Sequence, residues 1–154
     1  MPVFPAKNRF FDYTFVNNVH VFTGDFDISR MSLDNLYEIF GKSRKTIRRM
    51  KVKGNFNCCA NILTDLWGLP DELEVLGDFD CSHNLLKTLA GLPENLIVHG
   101  KFDCSYNELS RLHALPNKFT ISGNVRCVQN KITSISGFPE RLLKNRVLRK
   151  EIPF

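Results

Sequence analysis

The stretch Val75-Leu76-Gly77-Asp78-Phe79-Asp80-Cys81-Ser82-His83-Asn84-Leu85-Leu86 returns 23 residues later as Val98-His99-Gly100-Lys101-Phe102-Asp103-Cys104-Ser105-Tyr106-Asn107-Glu108-Leu109. The register runs outward from there. Gly54, Gly77, Gly100 and Gly123 share it, as do Cys58, Cys81, Cys104 and Cys127, and Asn61, Asn84, Asn107 and Asn130. Three residue types recurring four times at one spacing define an internal repeat, whose units bury their apolar faces only by stacking on neighbours.

Within each unit Val, Gly, Phe and Cys alternate with mostly polar residues, the period-2 pattern of a half-buried strand. Val52-Gly54-Phe56-Cys58 and Ile121-Gly123-Val125-Cys127 keep the same phase. Parallel stacking then predicts ladders of Phe over Phe and Cys over Cys, with Phe56, Phe79 and Phe102 in one buried column. After each strand comes Asn-x-(Leu/Ile)-x-x-(Leu/Ile), where an Asn amide can donate and accept at once within a turn. A corner follows at Gly68-Leu69-Pro70, Gly91-Leu92-Pro93, Ala114-Leu115-Pro116 and Gly137-Phe138-Pro139. Proline there stops any long helix on the return path. The period lies in the range of leucine-rich-repeat solenoids, so the expected fold is a single domain of stacked parallel short strands with 3₁₀ or extended returns.

The repeats span 21–139 as five units. The first is diverged: Gly24, Phe26, Ile28, Leu33 and Leu36 fit the offsets, Met31 takes the Asn position, and Gly24 stands 30 residues before Gly54. The extra residues form a basic insertion at about 41–50. Ser32 reads as the N-cap of a short helix over Leu33–Phe40 closed by Gly41. Residues 1–20 read as an aromatic cap in which Asn17-Asn18 turns a β-hairpin. Residues 140–154 read as a C-terminal cap and tail, with an amphipathic helix over Pro139–Lys150 that turns Leu142, Leu143, Val147 and Leu148 to one face.

Charge is unevenly placed. The runs Lys42, Arg44, Lys45, Arg48, Arg49, Lys51, Lys53 and Arg141, Lys144, Arg146, Arg149, Lys150 hold 12 of the 21 basic residues and no acid, leaving 9 basic against 16 acidic elsewhere. No run approaches the ~18 apolar residues of a membrane span. Met1-Pro2-Val3-Phe4-Pro5 has neither a basic n-region nor an apolar h-region, which argues against a secretory signal. Five cysteines, four at one repeat position, do not form a disulfide framework. A reducing, cytoplasmic setting is expected.

Four periodic thiols in a row, one per strand among Phe and Leu, lack the paired spacing of a zinc site and read as small apolar core residues. Cys59 should point outward and be the reactive thiol. The Asn column reads as structural. His20, His83, His99 and His113 have no ligand-like or triad-like spacing, and no phosphate loop, nucleophile elbow or His-Glu-x-x-His motif occurs. No catalytic residue, metal or cofactor is expected. The candidate surface is the outward strand face: Asp25, Asp27, Asn55, Asn57, Asp78, Asp80, His99, Lys101, Asp103, Asn124 and Arg126. Parallel neighbours about 4.8 Å apart make cross-strand pairing on a solvated face one reading of it, and a polar recognition surface for a basic or mixed protein patch the other. The alternative site is the cationic segment Lys42, Arg44, Lys45, Arg48, Arg49, Lys51 and Lys53, which could neutralise phosphates. It has no aromatic residue for base stacking.

Phe-Asp-Cys-Ser-x-Asn-x-Leu (Phe79–Leu86, Phe102–Leu109) followed by Gly-Leu-Pro resembles the short leucine-rich repeats of bacterial and bacteriophage proteins. It is similar to the repeat of secreted bacterial effectors, which is typically shorter and lacks the Gly-x-Phe-x-Cys strand. The resemblance covers roughly Val21 to Pro139. It implies binding of a protein partner through the exposed strand face. A small, non-catalytic cytoplasmic binder of bacterial or phage origin is then expected to act by occluding or modulating a host or defence protein. Nothing in the chain matches the ubiquitin-ligase domain that some effectors append. A nucleic-acid partner engaged through 42–53 and 141–150 is the alternative.

Overall fold

The computed structural model describes residues 11–41, 47–113 and 115–143. Its strands are β1 (Tyr13–Val16), β2 (Val19–Phe22), β3 (Phe26–Asp27), β4 (Arg49–Val52), β5 (Phe56–Asn57), β6 (Glu72–Val75), β7 (Phe79–Asp80), β8 (Asn95–Val98), β9 (Phe102–Asp103), β10 (Thr120–Ile121) and β11 (Val125–Arg126). They form a solenoid of stacked parallel strands with little helix. One sheet has the order β1-β2-β4-β6-β8-β10 and the other β11-β9-β7-β5-β3. Among the described residues only the β1–β2 pairing is antiparallel. Asn17 and Asn18 turn that hairpin with φ of 50° and 62°, the left-handed pair a tight hairpin turn requires.

Each repeat therefore makes two strands where the alternation alone predicts one. The break falls at the glycine column. A Cβ on Gly77 would lie 2.2 Å from Asn55 Oδ1 and 2.8 Å from the Gly54 carbonyl oxygen, closer than any side chain tolerates. Successive coils touch backbone to backbone here, with Gly77 N–H donating to Gly54 O at 2.9 Å and Gly100 N–H to Gly77 O at 2.9 Å. Absence of a side chain, not a special φ, is what the position demands.

The inward phase holds across the break. Val52, Val75 and Val98 from one sheet, and Phe26, Phe56, Phe79 and Phe102 from the other, are buried together with Cys58, Cys81 and Cys104. The phenyl rings stack at 5.3, 4.8 and 5.3 Å from Phe26 to Phe102. Where Val125 replaces the aromatic, Phe119 meets Phe102 edge-on at 5.3 Å. Beside them the asparagines lock coil to coil. Asn84 Oδ1 accepts from Leu63 N–H at 3.1 Å, while its Nδ2 donates to the carbonyls of Cys58, Cys81 and Ser82 at 3.1–3.2 Å. Asn107 and Asn130 repeat the pattern. Before each lies a non-glycine left-handed residue: Ala60, His83, Tyr106 and Gln129, with φ of 52–54°.

The helix expected over Leu33–Phe40 is shorter. It spans Tyr37–Phe40 (α1), and Leu36, not Ser32, precedes it, with no side-chain cap. Asn61 Oδ1 takes the N–H of both Met31 and Leu33 at 2.9 and 3.1 Å. That bond holds the chain in the repeat's turn, with Ser32 left-handed at φ 56°. Gly41 does close the helix, donating to Tyr37 O at 2.8 Å. A second helix, α2, covers Glu140–Leu143 and buries Leu142. The remainder of the expected C-terminal helix, with Val147 and Leu148, lies outside the described residues. No helix among the described residues is long and apolar enough to cross a membrane.

Candidate functional site

Seven of the expected recognition residues fall in two columns, each side chain already bonded to backbone. Asp25, Asn55 and Asp78 stand at the bend between the sheets. Each Oδ1 accepts the N–H of the equivalent residue one coil on, at Asn55 (2.7 Å), Asp78 (2.8 Å) and Lys101 (2.7 Å). Asp27, Asn57, Asp80 and Asp103 stand in the short strands and accept the N–H two residues ahead, at Ser29, Cys59, Ser82 and Ser105, over 2.8–3.0 Å. Asp103, expected to face solvent, is only 6% exposed, and its second oxygen meets Lys101 Nζ at 3.4 Å. The carboxylates on this side hold the backbone turns together. Of the expected set, Asn124, Arg126 and His99 are exposed and Lys101 is half-buried.

A different surface presents its side chains outward, that of the six-stranded sheet. Arg49 lies opposite Glu72 and Lys51 opposite Glu74 across β4 and β6, so part of the basic run is strand, not insertion. Arg48 Nε meets Asp71 at 3.2 Å, Arg49 Nε meets Glu72 at 2.7 Å, and Lys51 Nζ meets Glu74 at 2.9 Å. Each described cation of the basic run but Lys53 thus has an acid 23 residues on in the sequence. Lys53 is exposed; Lys42, Arg44 and Lys45 lie outside the described residues. Glu74 also receives His99 Nε2 at 3.0 Å. The hydrogen bond from Lys51, helped by His99 and opposed by partial burial, holds the Glu74 carboxyl below the usual glutamate range.

This outer face also carries apolar side chains that the strand alternation did not single out. Ile97 on β8 sits opposite Glu74, and Leu76 lies just beyond β6; they are 37% and 38% exposed. The sequence signal was available: Leu76 and Ile97 break the polar half of the alternation.

The thiol column is a packing column. Cys58, Cys81 and Cys104 are fully buried, and burial pushes the Cys58 and Cys81 thiols far above the ordinary range. Cys81 Sγ reaches the Asp103 carbonyl at 3.4 Å. Cys59 is half-buried, and its thiol too is raised, chiefly by desolvation and then by Asp80. Among the described residues no three His, Cys, Asp or Glu side chains converge as metal ligands. Comparison with known proteins finds no matching family model, no matching curated protein and no matching solved structure.

Proposed function

We propose that the chain is a non-catalytic leucine-rich-repeat module that binds a protein partner through the outer side of its six-stranded sheet. One observation supports this reading most. Leu76 and Ile97 stand exposed on a face otherwise filled by the charged group Lys51, Glu74 and His99. An apolar centre with a polar rim is the usual anatomy of a protein interface. Of the described cations in the basic run, Arg48, Arg49 and Lys51 are each paired with a carboxylate, which favours a protein over a nucleic acid on this face. The resemblance of the repeat to bacterial and bacteriophage sequences suggests a partner among host or defence proteins, held by occlusion in the cytoplasm.

The test is capture from bacterial lysate with and without nuclease. A nuclease-resistant partner should be lost with Leu76→Ser/Ile97→Ser and kept with Arg48→Gln/Arg49→Gln. The reverse pattern, with nuclease sensitivity, would transfer the function to the basic segments.

A further inference from the structure

The first two repeats stack Asp34-Asn35-Leu36-Tyr37 against Thr64-Asp65-Leu66-Trp67, with Leu36 and Leu66 buried in equivalent places. The flanking residues Asp34, Asn35, Tyr37, Thr64, Asp65 and Trp67 line one shallow, open-sided cavity of about 440 Å³ on the return side of the solenoid. Two of the lining residues are aromatic, two are carboxylates, and no cation lines it among the described residues. Trp67 is 55% exposed, although an indole of its size is usually covered. Asn35 Nδ2 donates to Asp34 Oδ1, while Asn35 Oδ1 is buried and has no hydrogen-bond donor among the described residues.

The cavity is held firmly. A Cβ on Gly68, whose φ is +108°, would lie 2.8 Å from Tyr37 N; one on Gly91 would lie 2.2 Å from Trp67 N. The Trp67 segment is thus clamped between the turn below and the turn above. Asp65 Oδ1 fixes it further by accepting Trp67 N–H at 3.0 Å. Later repeats put Ala90, His113 and Ser136 at the Trp67 position, and Thr88, Arg111 and Ser134 at the Asp65 position. The combination of aromatics and acids belongs to this junction alone.

We infer that this cavity binds an organic ammonium group, against the faces of Trp67 and Tyr37 and between the carboxylates of Asp34 and Asp65. Aromatic faces attract a desolvated cation through their quadrupole, tryptophan most strongly. The carboxylates supply the countercharge. The ammonium could come from a small quaternary amine or from a lysine side chain on a protein. The site lies apart from the six-stranded sheet and does not depend on the reading given above.

Trp67 is the single tryptophan, so its fluorescence reports occupancy directly. The intact chain is titrated with choline, with acetyl-lysine amide (its ε-amine free), and with dimethylbutanol, the uncharged carbon isostere of choline. A saturable change with a cation and none with the isostere is expected. A tighter response to choline marks a small amine as the ligand, and a tighter response to the lysine amide marks a protein-borne side chain. Asp65→Asn keeps the Oδ1 that holds Trp67 N–H, and should weaken binding about tenfold with an unchanged circular dichroism spectrum. Asp34→Asn, away from that turn, provides the same reading should Asp65→Asn unfold. No response to either cation, an equal response to dimethylbutanol, or full affinity in a folded carboxamide variant would overturn the inference.

Discussion

The two sheets use their outward polar residues in opposite ways. On the five-stranded side, Asp25, Asn55, Asp78, Asp27, Asn57, Asp80 and Asp103 each accept a backbone N–H, within the coil or from the next one. On the six-stranded side, Arg49 pairs with Glu72, and Lys51 and His99 with Glu74, side chain to side chain across the strands, beside exposed Leu76 and Ile97. A polar column that recurs with the repeat is therefore not by itself a recognition surface. What matters is whether its polar atoms are already occupied. A strand of two residues between bends leaves many backbone donors unpaired, and short Asp and Asn side chains meet that need.

Four substitutions would break or sharpen this contrast, beginning with the largest effect. Phe79→Ala removes an inner ring of the four-ring stack between the two sheets and should cost about 3–5 kcal/mol in urea unfolding; an unchanged midpoint would mean the inward phase is wrong. Asp80→Ala orphans the Ser82 N–H and should cost about 1–3 kcal/mol, whereas Leu76→Ser on the other sheet should stay within about 0.5 kcal/mol. Equal costs would erase the distinction between the two faces. Smallest is Lys51→Met. The Glu74 carboxyl is depressed in the folded state, so its contribution is present above the ordinary glutamate pKa and fades as pH falls through the depressed value. Removing Lys51 should bring the Glu74 pKa, followed by NMR, back up toward the ordinary range, and cost less than about 1 kcal/mol at neutral pH because the pair is partly exposed.

The sequence made the register, the inward residues and the Asn17-Asn18 turn legible, because each follows from a side chain's size or φ preference repeated at fixed spacing. The bend at Gly77 was not, since alternation continues through it; only the column of glycines, read as close backbone contact, marks the break. The same bend explains why Asp78 and Asp80 looked available, because an extended strand would have paired the backbone donors that they now satisfy. The candidate ammonium site was hidden for another reason. Tyr37 and Trp67 are 30 residues apart, not 23, so the first unit's insertion removes them from the repeat's own register, and only the stacking of Leu36 with Leu66 reunites them.

The most direct measurement is the urea unfolding of Asp78→Lys/Asp80→Lys/Asp103→Lys. Each reversal removes an acceptor from a backbone N–H, and three losses of about 1–3 kcal/mol approach the whole stability of a small domain. The account predicts a chain that is unfolded, or whose midpoint collapses, before any partner is offered. A triple variant that unfolds at the wild-type urea concentration would show that these carboxylates do not hold the coils together, and would return them to the recognition surface.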